Sequence, residues 1–393
     1  MDFASKRIRS TGAYAFAEVD RLVAELRAKG IAPIDFGVGD PVIPTPRFVR
    51  EACKRGVDKR ASAGYPSYIG SGEFRKAVAA WTRRRFGVTL DPATEVTATI
   101  GSKEAVFNFH EAVVDPGDVV LVPSPGYPPY SRGTRFAEGI PWFYPVCSEN
   151  GFLPEFGKFP KGVLRRAKVL WINYPNSPSG RVAPKAFLKE AVRFAARHGM
   201  ILASDEAYSE IYFTREKPHS ALEYGRKGVI VFHSFSKRSA MTCYRVGWAA
   251  GDADLVGLFR KVKTNIDSGT PTFIQDAAVA ALSDEKHVAA MRSEYREKRD
   301  ILVRAFTAAG LPDCTPEGTL YIWQRVPSGM TSAAYAKRLL APDIAVVATP
   351  GSWIAEPLAD GTNPGEGFVR FALVPGLADT REAARRIGRL YLA

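Results

Sequence analysis

The stretch Val229-Ile-Val-Phe-His-Ser-Phe-Ser-Lys237, closed by Arg245 and a second strand-like run Val246-Gly-Trp-Ala-Ala250, decides the fold. Four apolar β-formers end abruptly in two serines and a lysine, the pattern of a buried strand that delivers polar groups at its exit. A lysine ε-amine attacks carbonyls once its surroundings lower its pKa. Ser234, Ser236 and Arg245 carry the donors that a phosphate needs, and arginine offers a fork of two. Together these residue types suit one task, holding a phosphorylated aldehyde. Taken alone, serine-x-serine-lysine after a strand also fits plain surface structure, so the rest of the chain carries the choice.

Similar apolar runs recur upstream. Val96-Thr-Ala-Thr-Ile100, Asp118-Val-Val-Leu-Val122, Val169-Leu-Trp-Ile172 and Met200-Ile-Leu-Ala203 each read as short buried strands. Helical patterns separate them; one has Pro184 at its start, Phe187, Leu188, Ala191, Val192 and Ala195 on one face, and Gly199 after it. Apolar runs alternating with helices predict an α/β fold, a mostly parallel sheet covered on both faces. Beyond Gly269 the texture changes to a long helix through Val288, Met291, Tyr295, Leu302 and Phe306, then short strands and helices to Tyr391. That is the pattern of a smaller α+β domain. The prolines at 41, 44 and 46 place a hinge near residue 45. The expected organisation is therefore 1–45 as N-terminal arm and part of the small domain, 46–285 as large domain, and 286–393 as small C-terminal domain.

At 393 residues, one small core is not enough, which agrees with two domains. The four cysteines are scattered without a C-x-x-C pair, and no apolar leader or membrane-length run stands out, so reduced thiols, a cytoplasmic location and no membrane partner are expected. A net charge of +13 permits nucleic-acid binding, and Arg83-Arg-Arg85 is the sort of cluster that would serve it. No helix-turn-helix, zinc-finger or RNP-like pattern accompanies the charge, so solvated helix faces are the expected use and no nucleic-acid partner is assigned. No metal site is expected either.

In an open parallel sheet, ligands bind beyond the carboxyl ends of strands. Three polar groups fall there. Ser102 and Lys103 begin the helix after Val96–Ile100, where free N–H groups favour a phosphate. Asp205 and Tyr208 follow Met200–Ala203, and Ser234 to Lys237 follow Val229–Phe232. A carboxylate beneath a pyridine ring keeps its nitrogen protonated, which makes the ring an electron sink. Tyr208 suits a ring hydroxyl, and Tyr127 in Pro125-Gly-Tyr-Pro-Pro129 suits the ring face. Singly, Asp205 also reads as a helix cap and Tyr127 as a turn aromatic. Jointly they converge on one ligand.

This constellation resembles the fold-type I, class I/II aminotransferases that use pyridoxal 5′-phosphate, over essentially the whole chain and with the motifs in the family's order. The resemblance implies Lys237 as the Schiff-base lysine and proton shuttle, Asp205 on the pyridinium nitrogen, and Tyr208 and Asn176 near the ring oxygen. It implies Ser102, Lys103, Ser234, Ser236 and Arg245 as phosphate ligands. Tyr65 would reach the phosphate of the neighbouring subunit, in a homodimer with shared active sites. Arg370, in Val369-Arg-Phe371, would clamp the substrate α-carboxylate, with Gly39 beside the substrate and Tyr14 reaching in from the partner chain.

Two sets of stretches look like diaminopimelate enzymes. Gly64–Gly70, Gly101–Glu104 and Val262–Gly269 resemble LL-diaminopimelate aminotransferases. Ala203–Phe213, Ser234–Ser239 and Pro350–Ser352 with Asn363–Gly365 resemble N-succinyldiaminopimelate aminotransferases. Three positions depart from the family pattern: Ser177-Pro-Ser-Gly180 where N-P-T-G is usual, Ile69 where the direct enzymes often carry an acid, and Cys243-Tyr244 for a glycine-containing pair. The expected activity is amino transfer from an amino acid, LL-diaminopimelate first, to 2-oxoglutarate. The succinylated donor, aspartate or an aromatic amino acid are alternatives. A β-lyase with the same cofactor and a basic nucleic-acid-binding protein are the competing classes.

Overall fold

The computed structural model describes residues 3–9 and 17–390. Its strands are β1 (Ile34–Asp35), β2 (Val96–Thr99), β3 (Val119–Ser124), β4 (Ile140–Pro145), β5 (Ala167–Asn173), β6 (Ile201–Asp205), β7 (Val229–Ser234), β8 (Gly247–Gly251), β9 (Tyr321–Arg325), β10 (Val346–Val347), β11 (Thr349–Pro350) and β12 (Phe368–Ala372). Seven of them form one sheet in the order β2-β8-β7-β6-β5-β3-β4, with β8 antiparallel to both neighbours and the remaining pairs parallel. β4 escapes the sequence reading because Pro141 and Pro145 break its pattern; as an edge strand it tolerates both.

The side-chain period of two divides the sheet's apolar residues between two cores. Leu121, Leu170, Ile172, Leu202, Val229, Val231 and Trp248 face one cluster, which takes in Phe187, Leu188 and Ala191 of the helix Lys185–Arg197. Val120, Val122, Val169, Trp171, Ile230 and Phe232 face the other, with Ala105, Val106 and Phe109 of the helix Gly101–Val113. That is why these strands read as continuous apolar runs: both faces are covered.

A third cluster joins Met291, Tyr295, Leu302 and Phe306 of the 23-residue helix Lys286–Ala308 to Ile322, Val369 and Phe371 of the sheet β11-β12-β9. Phe36 belongs to it too: its N–H donates to Val347 O at 3.0 Å, and its carbonyl accepts from Ala372 N at 2.7 Å. The chain just before Gly37 is thus anchored in the second core. We propose residues 1–45 and 286–393 as one unit and 46–285 as the other, with Ile211, Phe213 and Ala240 of the larger unit reaching into the smaller unit's core. Among the described residues no helix is long and apolar enough to cross a membrane.

The Arg83–Arg85 run closes the helix Gly72–Phe86 and is largely engaged within the protein. Arg84 donates to Leu282 O at 2.9 Å, and Arg85 forms a nearly buried pair with Glu210 at 2.8 Å. Leu302 is fully buried in the third cluster. Leu302→Ala should therefore cost about 2–5 kcal/mol, through lost transfer energy and the cavity left behind. A urea unfolding midpoint equal to that of the parent would refute this packing.

Candidate active site

Sheet register sets the site. Thr99 lies opposite Gly247, which lies opposite Ser234; Asp205 lies opposite both Phe232 and Asn173. Because β8 runs antiparallel, its beginning shares an edge with the ends of β2, β5, β6 and β7. Arg245 and Lys237 therefore meet Ser102, Asp205 and Asn173 around one cavity of about 560 Å³. Ser102, Lys103, Tyr127, Asp205, Tyr208, Ser234, Ser236, Lys237, Arg245 and Gly39 all line it.

One end of the cavity is built for an anion. Ser102 sits in the first turn of the helix Gly101–Val113, whose free N–H groups favour negative charge. Ser234 Oγ accepts from Ser236 N at 3.1 Å and caps the short helix Phe235–Arg238. Arg245, at φ +49°, donates through Nη1 to Thr242 O at 2.7 Å. Gly101 has φ +70°, and a Cβ there would lie 2.3 Å from Arg245 Nη2. The guanidinium can occupy this place only because the residue is glycine.

Elsewhere in the cavity wall Asp205 presents a carboxylate, chemistry that suits a protonated nitrogen. It is buried, with Tyr130 donating to Oδ2 at 2.7 Å and Ala207 N to Oδ1 at 3.2 Å. Burial pushes its pKa up, while the tyrosine and backbone hydrogen bonds oppose the shift. Tyr130 stacks on Trp171 at 4.8 Å, and Trp171 Nε1 donates to His110 Nε2 at 3.0 Å. His110 donates from Nδ1 to Phe107 O at 3.1 Å, and burial lowers its pKa to about 4, so it stays neutral and rigid.

Between these ends, Lys237 donates from Nζ to Gly39 O. Burial lowers its pKa; Tyr321 and Asp40 oppose this, and Arg370 and Arg245 reinforce it. Tyr208 and Tyr321 share a hydrogen bond of 3.2 Å. Burial raises the Tyr208 hydroxyl. At Tyr321 burial also raises, but Arg370 and Lys237 outweigh it and bring the phenol below its ordinary value. A Cβ on Gly39 would strike Tyr321 Oη at 2.1 Å, so this loop too needs glycine.

Arg370 lies behind Tyr321, its Cζ 4.6 Å from the ring centre, and donates from Nη2 to Gly37 O at 3.0 Å. Its Nε is buried without a partner, a donor available to a carboxylate. Asn176 is not brought to the cavity. Its amide is engaged in its own turn, donating to Asn173 O at 3.2 Å and accepting from Ser179 Oγ at 2.6 Å. Asn173 and Ser177 line the cavity instead. Tyr65 is 92% exposed and outside the cavity, and Tyr14 lies outside the described residues. Tyr130, Asn173 and Tyr321 are lining residues that the sequence does not single out, while Ser177 lines the cavity at the position where the family pattern has asparagine.

A phosphate cradle, a buried carboxylate and a lysine of lowered pKa fit pyridoxal 5′-phosphate, and fold and site together define a pyridoxal-phosphate-dependent transferase of fold type I. The chain belongs to the class I and II aminotransferases, whose family model matches residues 31–387. It is 44% identical, over 99% of both chains, to the LL-diaminopimelate aminotransferase of Aquifex aeolicus (strain VF5). A solved single mutant of Thermus thermophilus aspartate aminotransferase is 29% identical, with a TM-score of 0.90 and 99% of this chain and 100% of that one covered. A probable N-succinyldiaminopimelate aminotransferase, also from Thermus thermophilus, is 30% identical, with a TM-score of 0.87 and coverage of 96% and 100%. The chain is thus a pyridoxal-phosphate-dependent enzyme that exchanges amino groups between amino acids and 2-oxo acids.

The cradle predicts that Gly101→Ala displaces the Arg245 guanidinium and strains the turn. Weakening a charged hydrogen bond by about 1.5–3 kcal/mol corresponds to roughly ten- to a hundredfold weaker cofactor binding. Titrating the cofactor-free protein with pyridoxal 5′-phosphate checks this, and parent-like affinity would contradict the assignment.

Proposed function

We propose that the chain transfers the amino group of LL-diaminopimelate to 2-oxoglutarate, acting as a cytoplasmic homodimer with shared active sites. The observation that carries the substrate is the near full-length identity to an enzyme named for it. When bound, pyridoxal 5′-phosphate supplies a reactive aldehyde and an electron-withdrawing ring. Ser102, Lys103, Ser234, Ser236 and Arg245 hold its phosphate, and Tyr127 covers the ring face. Asp205 keeps the ring nitrogen protonated, with Tyr130 fixing which carboxylate oxygen faces it. Tyr208 and Ser177 serve the ring hydroxyl, and Ser177 takes the place first assigned to Asn176.

Lys237 takes the proton from substrate Cα through Nζ and returns it during the exchange, which a lowered ammonium pKa favours at neutral pH. Arg370 binds the α-carboxylate through its fork, and Gly39 leaves room for the substrate backbone. The exposed Tyr65 extends to the cofactor phosphate of the neighbouring subunit. A second reading, the N-succinylated donor, is favoured by the apolar Ile69 and by the likeness to the Thermus thermophilus protein named for that donor.

Arg370→Lys should lower kcat/KM for every amino acid, since a point charge cannot replace two parallel hydrogen bonds. The expected cost is about 2–5 kcal/mol; an unchanged kcat/KM would place the carboxylate clamp elsewhere. The donor is settled by spectroscopic half-reactions with LL-diaminopimelate, its N-succinyl derivative and aspartate at equal concentrations. LL-diaminopimelate should give the fastest loss of the bound-cofactor band. A faster reaction with the succinyl compound would select the second reading, and a faster one with aspartate would remove both.

A further inference from the structure

Lys263 is a fully buried cation with no direct place in the site. Its Nζ lies 2.8 Å from Asp267 Oδ2 and 3.3 Å from Glu104 Oε2, and 5.9 Å from the Phe259 ring centre. Burying an ammonium is costly unless it is paired, so the position calls for a reason. The reason lies in what its two partners hold.

Glu104 belongs to the first turn of the helix Gly101–Val113, and its Oε2 accepts from Ile100 N at 3.0 Å. That N–H opens the turn which carries Gly101 and Ser102 into the cavity. On the other side of Ile100, Thr270 Oγ1 donates to Thr99 O at 2.9 Å. Asp267 holds the same segment by accepting from Gly269 N at 2.6 Å. Both flanks of the cradle's entry turn are therefore tied to residues 263–270, with Lys263 between them.

The arrangement also has an electrostatic side. A carboxylate at a helix N-terminus is favourable in isolation, yet here it occupies the same positive end that a phosphate uses. Two anions at one helix end repel, and inside the protein little solvent screens them. Burial raises the Glu104 pKa, the Lys263 charge lowers it, and Asp267 raises it again. An ammonium fixed between the carboxylates offsets their field, so that Glu104 keeps its structural hydrogen bond without opposing the phosphate.

We propose that Lys263 is a positioning residue that sets the affinity of the enzyme for the phosphate of its cofactor, by neutralising Glu104 and fixing the Thr99–Ser102 turn. This rests on the reading that the phosphate sits at the Ser102 end of the cavity. The test titrates cofactor-free protein with pyridoxal 5′-phosphate and, separately, with pyridoxal, which lacks the phosphate. The parent should prefer the phosphorylated compound; equal binding would overturn the cradle reading and this proposal with it. Lys263→Met should weaken pyridoxal 5′-phosphate binding about tenfold or more, the scale of one nearby buried charge, while pyridoxal binding stays within about twofold. Glu104→Gln keeps an acceptor for Ile100 N and loses the charge, so it should bind pyridoxal 5′-phosphate at least as tightly as the parent. In the Lys263→Met background it should restore most of the lost affinity. A parallel loss for both compounds in Lys263→Met would mean a merely structural role and overturn the proposal. So would a Glu104→Gln protein that loses phosphate-dependent affinity, a result that stands even if Lys263→Met fails to fold.

Discussion

A buried carboxylate without a paired cation governs this molecule. Among the described residues, Asp205 has a tyrosine hydroxyl and a backbone N–H as its hydrogen-bond donors, and no salt-bridge partner. Taking such a group out of water costs several kcal/mol, which the raised pKa expresses. Across the same cavity Lys237 carries the complementary cost, its ammonium disfavoured by burial. The fold keeps the two apart, Asp205 on Tyr130 and Lys237 on the Gly39 carbonyl. In the proposed function, pyridoxal 5′-phosphate would supply a cationic ring nitrogen to the one and an aldehyde to the other. The surrounding protein supplies the stability that keeps this arrangement in place, through the three cores and the stacked Tyr130–Trp171–His110 chain.

Much of this was legible in the sequence because strand exits are marked by an abrupt change of chemistry. Phe232 to Lys237, Ala203 to Tyr208 and Ile100 to Lys103 each pass from apolar runs to polar groups, and each reaches the cavity. Tyr130 and Tyr321 gave no such signal. Tyr321 stands between Leu320 and Ile322 and reads as core, Tyr130 follows two prolines and reads as a turn aromatic, and only the structure shows that their hydroxyls face polar partners. β4 was hidden by its prolines, since nothing in Ile140–Pro145 says that the strand lies at an edge.

The Asn176 outcome shows a different limit. Asn173, Asn176 and Ser177 are close neighbours in one proline-broken segment, and any of them has the chemistry for a ring oxygen. Backbone geometry makes the choice. Asn173 donates to Asp205 O at 2.9 Å and accepts from Ser177 N at 2.9 Å, so it ties the Ser177 loop to the end of β6. Asn176 closes the turn, its Oδ1 accepting from Ser179 and its Nδ2 donating to Asn173 O, and it does not line the cavity. The serine at 177 is thus carried at the cavity by an asparagine four residues earlier, a compensation invisible to spacing alone.

Among the contacts between the two proposed units, one made by a short loop lies at the cavity. Gly37 O accepts from Arg370 Nη2 at 3.0 Å and from Thr349 Oγ1 at 2.8 Å, while Gly37 N donates to Asp35 Oδ1 at 2.7 Å. Two residues on, Gly39 O accepts from Lys237 Nζ. Anchored by Phe36 in the third cluster, the loop therefore touches both Arg370 and Lys237. The guanidinium that donates to the Gly37 carbonyl keeps its Nε buried without a partner, and the lysine rests on the Gly39 carbonyl. The two carbonyls of this loop thus set where Arg370 and Lys237 rest.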